Sequence, residues 1–397
     1  MRPLLLSAFT ATSCLGHGLA PTLAALRAER SGLAPCAFET VRLQTWVGEV
    51  AGVDDTTLPQ GLAAFECRNN RLAWLALSQD GMAQAVAGAA RRYGAGRVGV
   101  FLGTSTSGIL ESEIAYRHRD AHTGALPADF RYAGAHNTYS VAAFALQALR
   151  LAGPAVVISS ACSSSGKVFA SAQRAIESGL IDAALVGGVD SLCLTTLYGF
   201  HSLQLVSAAP CRPFDSARCG ISLGEAAAFA LLERAPAAPA EEAVLLLGYG
   251  ESSDAYHMSS PHPQGRGARE AMQKALAAAG VAPAEIDYIN FHGTGTASND
   301  ESEARAVAAA LGAQVAGSST KGATGHTLGA AGALEAVICA LALRAQLLPA
   351  GVNTTQVDPA LEVNYQLRSR AARLRYVMSN SFGFGGSNCS LIFGRPA

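Results

Sequence analysis

Lysine is nearly missing from this 397-residue chain: of 29 basic residues only Lys167, Lys274 and Lys321 are lysines. Thirty acidic residues balance them to a net charge of −1, so composition gives no electrostatic footprint for nucleic acid or an anionic membrane. Charged residues make up 15% and aromatics 7%, against 50% hydrophobic, so the chain can bury a large interior behind a modest surface. Paired cysteines are absent as well. The nine cysteines are scattered and odd in number with no C-x-x-C, which argues against a disulfide framework or a closed zinc site. A reducing compartment, the cytoplasm, is the expected setting. No G-x-S-x-G elbow or P-loop occurs, and GTSTSG (103–108) has no lysine to complete a phosphate cradle. His118 and His122 are four apart but lack a third ligand, so no metal is expected. Long apolar runs are interrupted. Ser7 and Thr10 break the first, read as the start of a domain rather than a leader. Glu335 and Arg344 break the stretch Leu328 to Leu348, read as a buried helix rather than a membrane span.

Short apolar segments alternating with Ala-rich helices predict an α/β fold with a largely covered sheet. RVGVFLG (97–103), AVVISS (155–160) and AALVGGVD (183–190) read as strands. Tyr139 to Leu151 and Lys167 to Ser178 read as helices. ERAPAAPAEEA (233–243) is the one linker-like stretch, and beyond it the alternation restarts with VLLLGYG (244–250), a helix over 268–279 and EIDYINFHG (285–293) as a strand. The expected organisation is two halves of similar grammar, 1–240 and 241–397.

Four elements can carry chemistry. In AVVISSACSSSGKVFASAQRAI a buried strand runs through small residues into a helix, which places Cys162 near a helix N-terminus. There the dipole and free N–H groups favour a thiolate and can hold an oxyanion. Most cysteines are core fillers, and Cys14, Cys36, Cys193 and Cys339 are read that way. In NFHGTGTASNDESEA (290–304) a strand ends at His292, the place where open α/β sheets put ligand groups, although a satisfied core histidine fits equally. SSTKGATGHTLGAAGALEAVI (318–338) presents Lys321 and His326 on a Gly-rich loop, then Glu335 in an apolar helix, where it needs a partner such as Lys321. SNSFGFGGSNCSLIFG (379–394) interleaves Phe382 and Phe384 with glycines in a loop able to swing.

Together SSACSSSG, FHGTGT, TKGATGHTLGAAG and NSFGFGGSN resemble, in order and near spacing, the signature of the β-ketoacyl-acyl-carrier-protein synthases of the type I/II group, in the thiolase-like superfamily. The resemblance implies a duplicated βαβαβ fold in five α-β-α-β-α layers. It implies a decarboxylative condensation of malonyl-carrier protein with an acyl chain on Cys162, in fatty-acid biosynthesis. By the same similarity His292 and His326 assist decarboxylation as neutral imidazoles, and the N–H groups of Cys162 and Phe384 form the oxyanion hole. Lys321 and Glu335 match the pair that orders the histidine loop. Phe384 matches the gating aromatic with Gly383 its hinge, and Thr294 and Thr296 match the hydroxyls that hold the pantetheine arm. No free cofactor is implied, since substrates ride on the phosphopantetheine of an acyl carrier protein. The implied assembly is a homodimer or a heterodimer with a chain-length-factor-like subunit.

Ala297 and Asn299 replace the usual proline and glycine of the family, and Thr106 stands where the acyl-pocket floor is expected. These departures resemble enzymes of aryl-polyene and type II polyketide pathways, the alternative to fatty-acid elongation. Arg68 and Arg71 in RNNRLAWL occupy the position of a basic helix that docks the acidic carrier, though a solvated helix face reads the same way. A thiolase would use a C-terminal cysteine as base, but Cys389 lacks the thiolase glycine run. A chain-length factor would lack Cys162.

Overall fold

The computed structural model of the chain describes residues 1–396. Ten strands carry its architecture. The first five are β1 (Leu4–Ser13), β2 (Val98–Gly103), β3 (Ala155–Ile158), β4 (Ala183–Asp190) and β5 (Ala226–Arg234). The other five are β6 (Leu245–Ser253), β7 (Tyr288–Asn290), β8 (Ala316–Ser318), β9 (Tyr376–Gly383) and β10 (Ser387–Gly394). The first set lies side by side as β3-β2-β4-β5-β1 and the second as β8-β7-β9-β10-β6. Counted within each set, both read third, second, fourth, fifth, first. The directions repeat too: the second strand runs parallel to the third and fourth, and the fifth is antiparallel to its neighbours. The sets meet where β1 pairs with β6 at Leu4–Leu246 and Leu5–Leu245. A strand that pairs on both sides and is covered on both faces must be almost wholly apolar, and β2 and β4 are buried at every residue, Asp190 at the end of β4 being the one charged side chain in them.

Seven helices matter for the layers: α1 (Arg68–Leu77), α2 (Met82–Tyr93), α3 (Ser140–Ala148), α4 (Ser164–Glu177), α5 (Arg266–Ala279), α6 (Ala297–Leu311) and α7 (Ala331–Ala345). α4 and α7 pack on each other and on strands of both sets, forming the middle layer. α1 to α3 cover the outside of the first sheet, and α5, backed by α6, covers the second. This is the duplicated five-layer α/β arrangement expected of the thiolase-like fold. Small residues make the middle layer possible. A Cβ on Gly332 of α7 would stand 2.6 Å from the backbone nitrogen of Gly166 in α4, so the two helices touch backbone to backbone. The apolar window Leu328–Ala345 is 89% buried between the sheets.

One expected strand is shorter than its sequence pattern. Of 285–293 only Tyr288–Asn290 pairs, because Pro283–Glu285 forms a 3-10 turn and the Glu303 carboxylate takes the N–H groups of His292 and Gly293 at 2.8 Å each. The chain therefore leaves the sheet just before His292. The carboxyl ends of β3, β7, β8 and β9 open toward one place, and the four chemistry-bearing loops follow them.

Candidate active site

Cys162 sits between β3 and α4, in a turn that passes through Ala161 at φ 52°. Holding an L-residue in that left-handed region costs about 1–3 kcal/mol, so the surroundings must enforce it. Serines do this. Ser164 Oγ accepts from the N–H of Ser160 at 2.9 Å, Ser163 Oγ donates to the Ser160 carbonyl at 2.9 Å, and Ser163 Oγ lies 3.2 Å from Ser387 Oγ on β10. The thiol itself is 5% exposed. Burial pushes it up to about 12, against the opposing pull of the Lys321 ammonium and of the Phe384 N–H hydrogen-bonded to the sulfur. The resting thiolate expected from the helix N-terminus is thus opposed by burial, which pushes the thiol up more strongly than the Lys321 ammonium and the Phe384 N–H pull it down.

The reactive atoms of Cys162, His292 and His326 all lie within 4.8 Å of one another. The two imidazoles stand edge to face, centroids 5.3 Å apart. Burial first, and the Lys321 ammonium second, hold both well below the usual histidine range, so both are neutral. Their tautomers follow from their neighbours. His326 Nδ1 accepts from the Leu328 N–H at 3.2 Å, and His292 Nδ1 faces the Lys321 ammonium at 3.5 Å. Nε2 is left as the N–H of each ring. The Lys321 ammonium also donates to the His292 carbonyl at 2.6 Å and contacts Glu335, the residues being 1% and 2% exposed. The expected ion pair is formed, and it grips the His292 backbone rather than the nucleophile.

A cavity enclosing about 600 Å³, open solvent at its mouth included, leads to these groups. Thr294 and Thr296 line it with their hydroxyls 2.8 Å apart, and Asn299 and Phe384 form further wall. The Phe384 ring lies tilted at 45° against Phe200, centroids 5.7 Å apart. A Cβ on Gly383 would lie 2.9 Å from the Ser160 carbonyl and 3.2 Å from the Cys162 nitrogen, so only glycine lets this loop close onto the nucleophile turn.

Two sequence expectations fail here. Arg68 is 4% exposed, its guanidinium bonded to Glu225 at 2.6 and 3.0 Å and to Asp54 at 2.7 Å, so it is an internal ion-pair residue that no partner protein can reach. Arg71 is partly exposed but pairs with Glu66 and faces Asp54. Thr106 is also spent internally. Its hydroxyl donates to Asp190 at 2.9 Å and accepts from the Ser191 N–H at 3.2 Å, and it does not line the cavity. Thr106→Val should therefore cost about 1–3 kcal/mol of stability by stranding buried polar groups. A lower urea midpoint with unaltered acyl-length selectivity is expected, and a selectivity change with full stability would restore the pocket-floor role.

The sequence reading missed the acids that build this site. Asp190, at the end of β4, takes N–H groups from Ser105, Thr106 and Ala330, tying β2, β4 and the start of α7 together. Glu303 clamps His292 and Gly293 and receives Asn380 Nδ2 at 3.1 Å, while burial pushes its carboxyl up to about 7. Asp300 takes the N–H groups of Thr294 and Phe214. Asp190, a carboxylate inside the small and apolar run LVGGVDSL, carried a signal; Asp300 and Glu303, in the polar run NDESEA, carried none.

A buried thiol, two neutral imidazoles and a Gly-Phe loop thus meet at one cavity of a duplicated five-layer α/β frame. The chain matches the family models for the beta-ketoacyl synthase N-terminal domain over residues 63–238 and the C-terminal domain over 243–355. It is 39% identical over 249 residues to 3-oxoacyl-[acyl-carrier-protein] synthase 2 of Mycobacterium tuberculosis, 59% of this chain and 60% of that protein. The namesake of Rhizobium meliloti is 40% identical over 263 residues, 62% of each. The matched region thus spans about 60% of the length of these curated relatives. Among solved structures, a chain of a ketosynthase in complex with its chain length factor from Xenorhabdus doucetiae superposes with TM-score 0.88 at 39% identity, over 100% of this chain and 98% of that one. A beta-ketoacyl synthase from Burkholderia phymatum gives TM-score 0.87 at 29% identity over the whole of both. The chain belongs to the beta-ketoacyl synthase family.

Proposed function

We propose that the protein is a β-ketoacyl-acyl-carrier-protein synthase, condensing a Cys162-bound acyl chain with malonyl-carrier protein. The observation that carries this reading is the triad itself, the Cys162 thiol and one ring nitrogen of each of His292 and His326 within 4.8 Å of one another beside one cavity. In the first half-reaction the thiol attacks an acyl-carrier thioester, and the departing carrier sulfur leaves with the proton. In the second, malonyl-carrier protein loses CO2, and the electron pair of the broken bond becomes an enolate whose oxygen the two Nε2–H groups hold. The enolate carbon attacks the Cys162 thioester. The N–H groups of Cys162 and Phe384 take the resulting oxyanion, and its collapse releases β-ketoacyl-carrier protein and a Cys162 thiolate that regains a proton.

Neutral imidazoles set the pH dependence. Both histidines have depressed pKa values, so the donor form persists as pH falls through 6.5. CO2 release from malonyl-carrier protein should stay level from pH 8 to 6.5, its acid limb lying lower; a limb centred at or above 6.5 would mean solvated rings. The direct test is mass spectrometry of the intact protein with a panel of acyl-carrier proteins. Acyl adducts confined to Cys162 support the reading, and adducts elsewhere or none overturn it. General alkylation is a poor substitute, because Cys219 is the one exposed thiol among the described residues.

The pathway is either fatty-acid elongation, as in the curated relatives' names, or an aryl-polyene or type II polyketide route. Full-length similarity to a chain from a ketosynthase–chain length factor complex favours the second, with a chain-length-factor-like partner in place of an identical subunit. Strand β3 is an unpaired sheet edge with Val156 37% exposed, beside the nucleophile turn, and is where such a subunit would add. Substrates on a carrier need no free cofactor, and nine unpaired thiols suit the cytoplasm.

A further inference from the structure

We propose that the carrier protein docks on the rim formed by residues 254–266 and the first turn of α5, with Arg266 and Arg269 meeting its acidic face and Met258 its apolar surface. This rests on the condensing reading above. The rim is the outer part of the cavity wall, since Ser259, Ser260 and Pro261 line the cavity directly. The Met258 carbonyl accepts from the Gly385 N–H at 2.8 Å, joining the rim to the loop that carries Phe384. The His262 carbonyl accepts from Ser302 Oγ at 2.9 Å and the Pro263 carbonyl from Arg305 at 2.7 Å, joining it to α6 behind Thr294 and Thr296. Anything that passes a pantetheine arm through this mouth must rest against the rim.

Its surface is suited to an acidic, partly apolar partner. Met258 is 78% exposed, more than any other large hydrophobic side chain among the described residues. Arg266 and Arg269 are exposed, and among the described residues neither has a carboxylate within ion-pair distance. Of the adjacent acids, Glu270 is held by Lys274 at 2.7 Å and Glu301 by Arg305 at 3.6 Å, while Asp254 in the rim itself accepts from the His262 N–H and from Asn388 Nδ2 at 2.9 Å each. The helix expected to dock the carrier is the opposite case: Arg68 and Arg71 are neutralised by Glu49, Asp54, Glu66 and Glu225, and that surface repels an acidic protein. Unneutralised positive charge beside a cavity mouth steers an acidic partner to it and accelerates the encounter.

The double variant Arg266→Glu/Arg269→Glu, made in the full chain, tests this. KM for malonyl- and acyl-carrier proteins should rise roughly 10-fold at low salt and lose most of its salt dependence. Met258→Asp should raise it independently. Acylation of Cys162 by an N-acetylcysteamine thioester, which needs no docking, should match the unsubstituted protein and so reports folding. An unchanged KM with its salt dependence intact overturns the docking surface while the condensing reading stands. If the unsubstituted protein fails to acylate Cys162 from both carrier and small thioester, the condensing reading falls and the docking surface with it.

Discussion

His292→Ala and His326→Ala should each lower condensation turnover by ~10² or more while Cys162 remains able to accept an acyl group. The magnitude comes from removing one of two preorganised donors in a dry site, where each N–H meets charge that develops only as CO2 leaves. Acylation is spared because the thioester oxyanion is held by backbone N–H groups of Cys162 and Phe384, which neither substitution removes. The check is a split assay: CO2 release from malonyl-carrier protein against the rate of acyl-enzyme formation. A variant that condenses near the normal rate has lost nothing at the transition state, and its histidine would be reassigned as structural. Loss of both activities together would mean the site had collapsed instead.

Lys321→Ala should destabilise the fold by about 3–5 kcal/mol, because it leaves the Glu335 carboxylate buried without its cation. Burial already pushes that carboxyl up to about 7 with Lys321 opposing, so the variant's must lie higher still. The sign of the pH effect follows. A carboxyl whose folded pKa is raised gives stability that is present below the unfolded value near 4.5 and is lost as pH climbs through the folded value. The deficit should therefore be larger at pH 8 than at pH 5 in chemical denaturation. The double variant Lys321→Met/Glu335→Leu should regain most of the stability, since no charge is stranded. It should not regain turnover, because the His292 carbonyl and Nδ1 lose the ammonium that orients them. Restored turnover in the double variant would leave the pair a purely structural one.

Cys162, His292, Lys321 and His326 could be singled out from local sequence because each sits near where a strand or Gly-rich loop gives way to a helix, whereas Glu335, inside α7, stood out only as a lone acid in an apolar stretch. The alternation of strand and helix on either side of residue 240 was readable for the same reason, period and turn residues being local properties. Their ionisation was not. The helix N-terminus argued for a Cys162 thiolate, but burial depends on how closely distant segments such as the loop at Gly383 approach it, and that burial pushes the thiol up. Arg68 shows the same limit from outside. A basic residue at a helix start looks solvent-facing until Glu225, 157 residues away in sequence, is found against it. Glu303 was invisible as a site residue because its work is to bind backbone N–H groups, and a sequence carries no record of which N–H groups a fold leaves unpaired.

By itself the sequence determined the kinds of chemistry available: one thiol at a strand-to-helix turn, two loop histidines and a glycine loop that can close, all consequences of residue type and spacing over a few positions. Tertiary structure alone decided which form those groups take and what surrounds them. Bringing buried atoms of residues 162, 292 and 326 within 4.8 Å of one another requires two sheets folded onto a shared pair of helices. Only that long-range packing sets the desolvation that holds the imidazoles low and the thiol high, buries Arg68 among carboxylates and commits the Thr106 hydroxyl to Asp190.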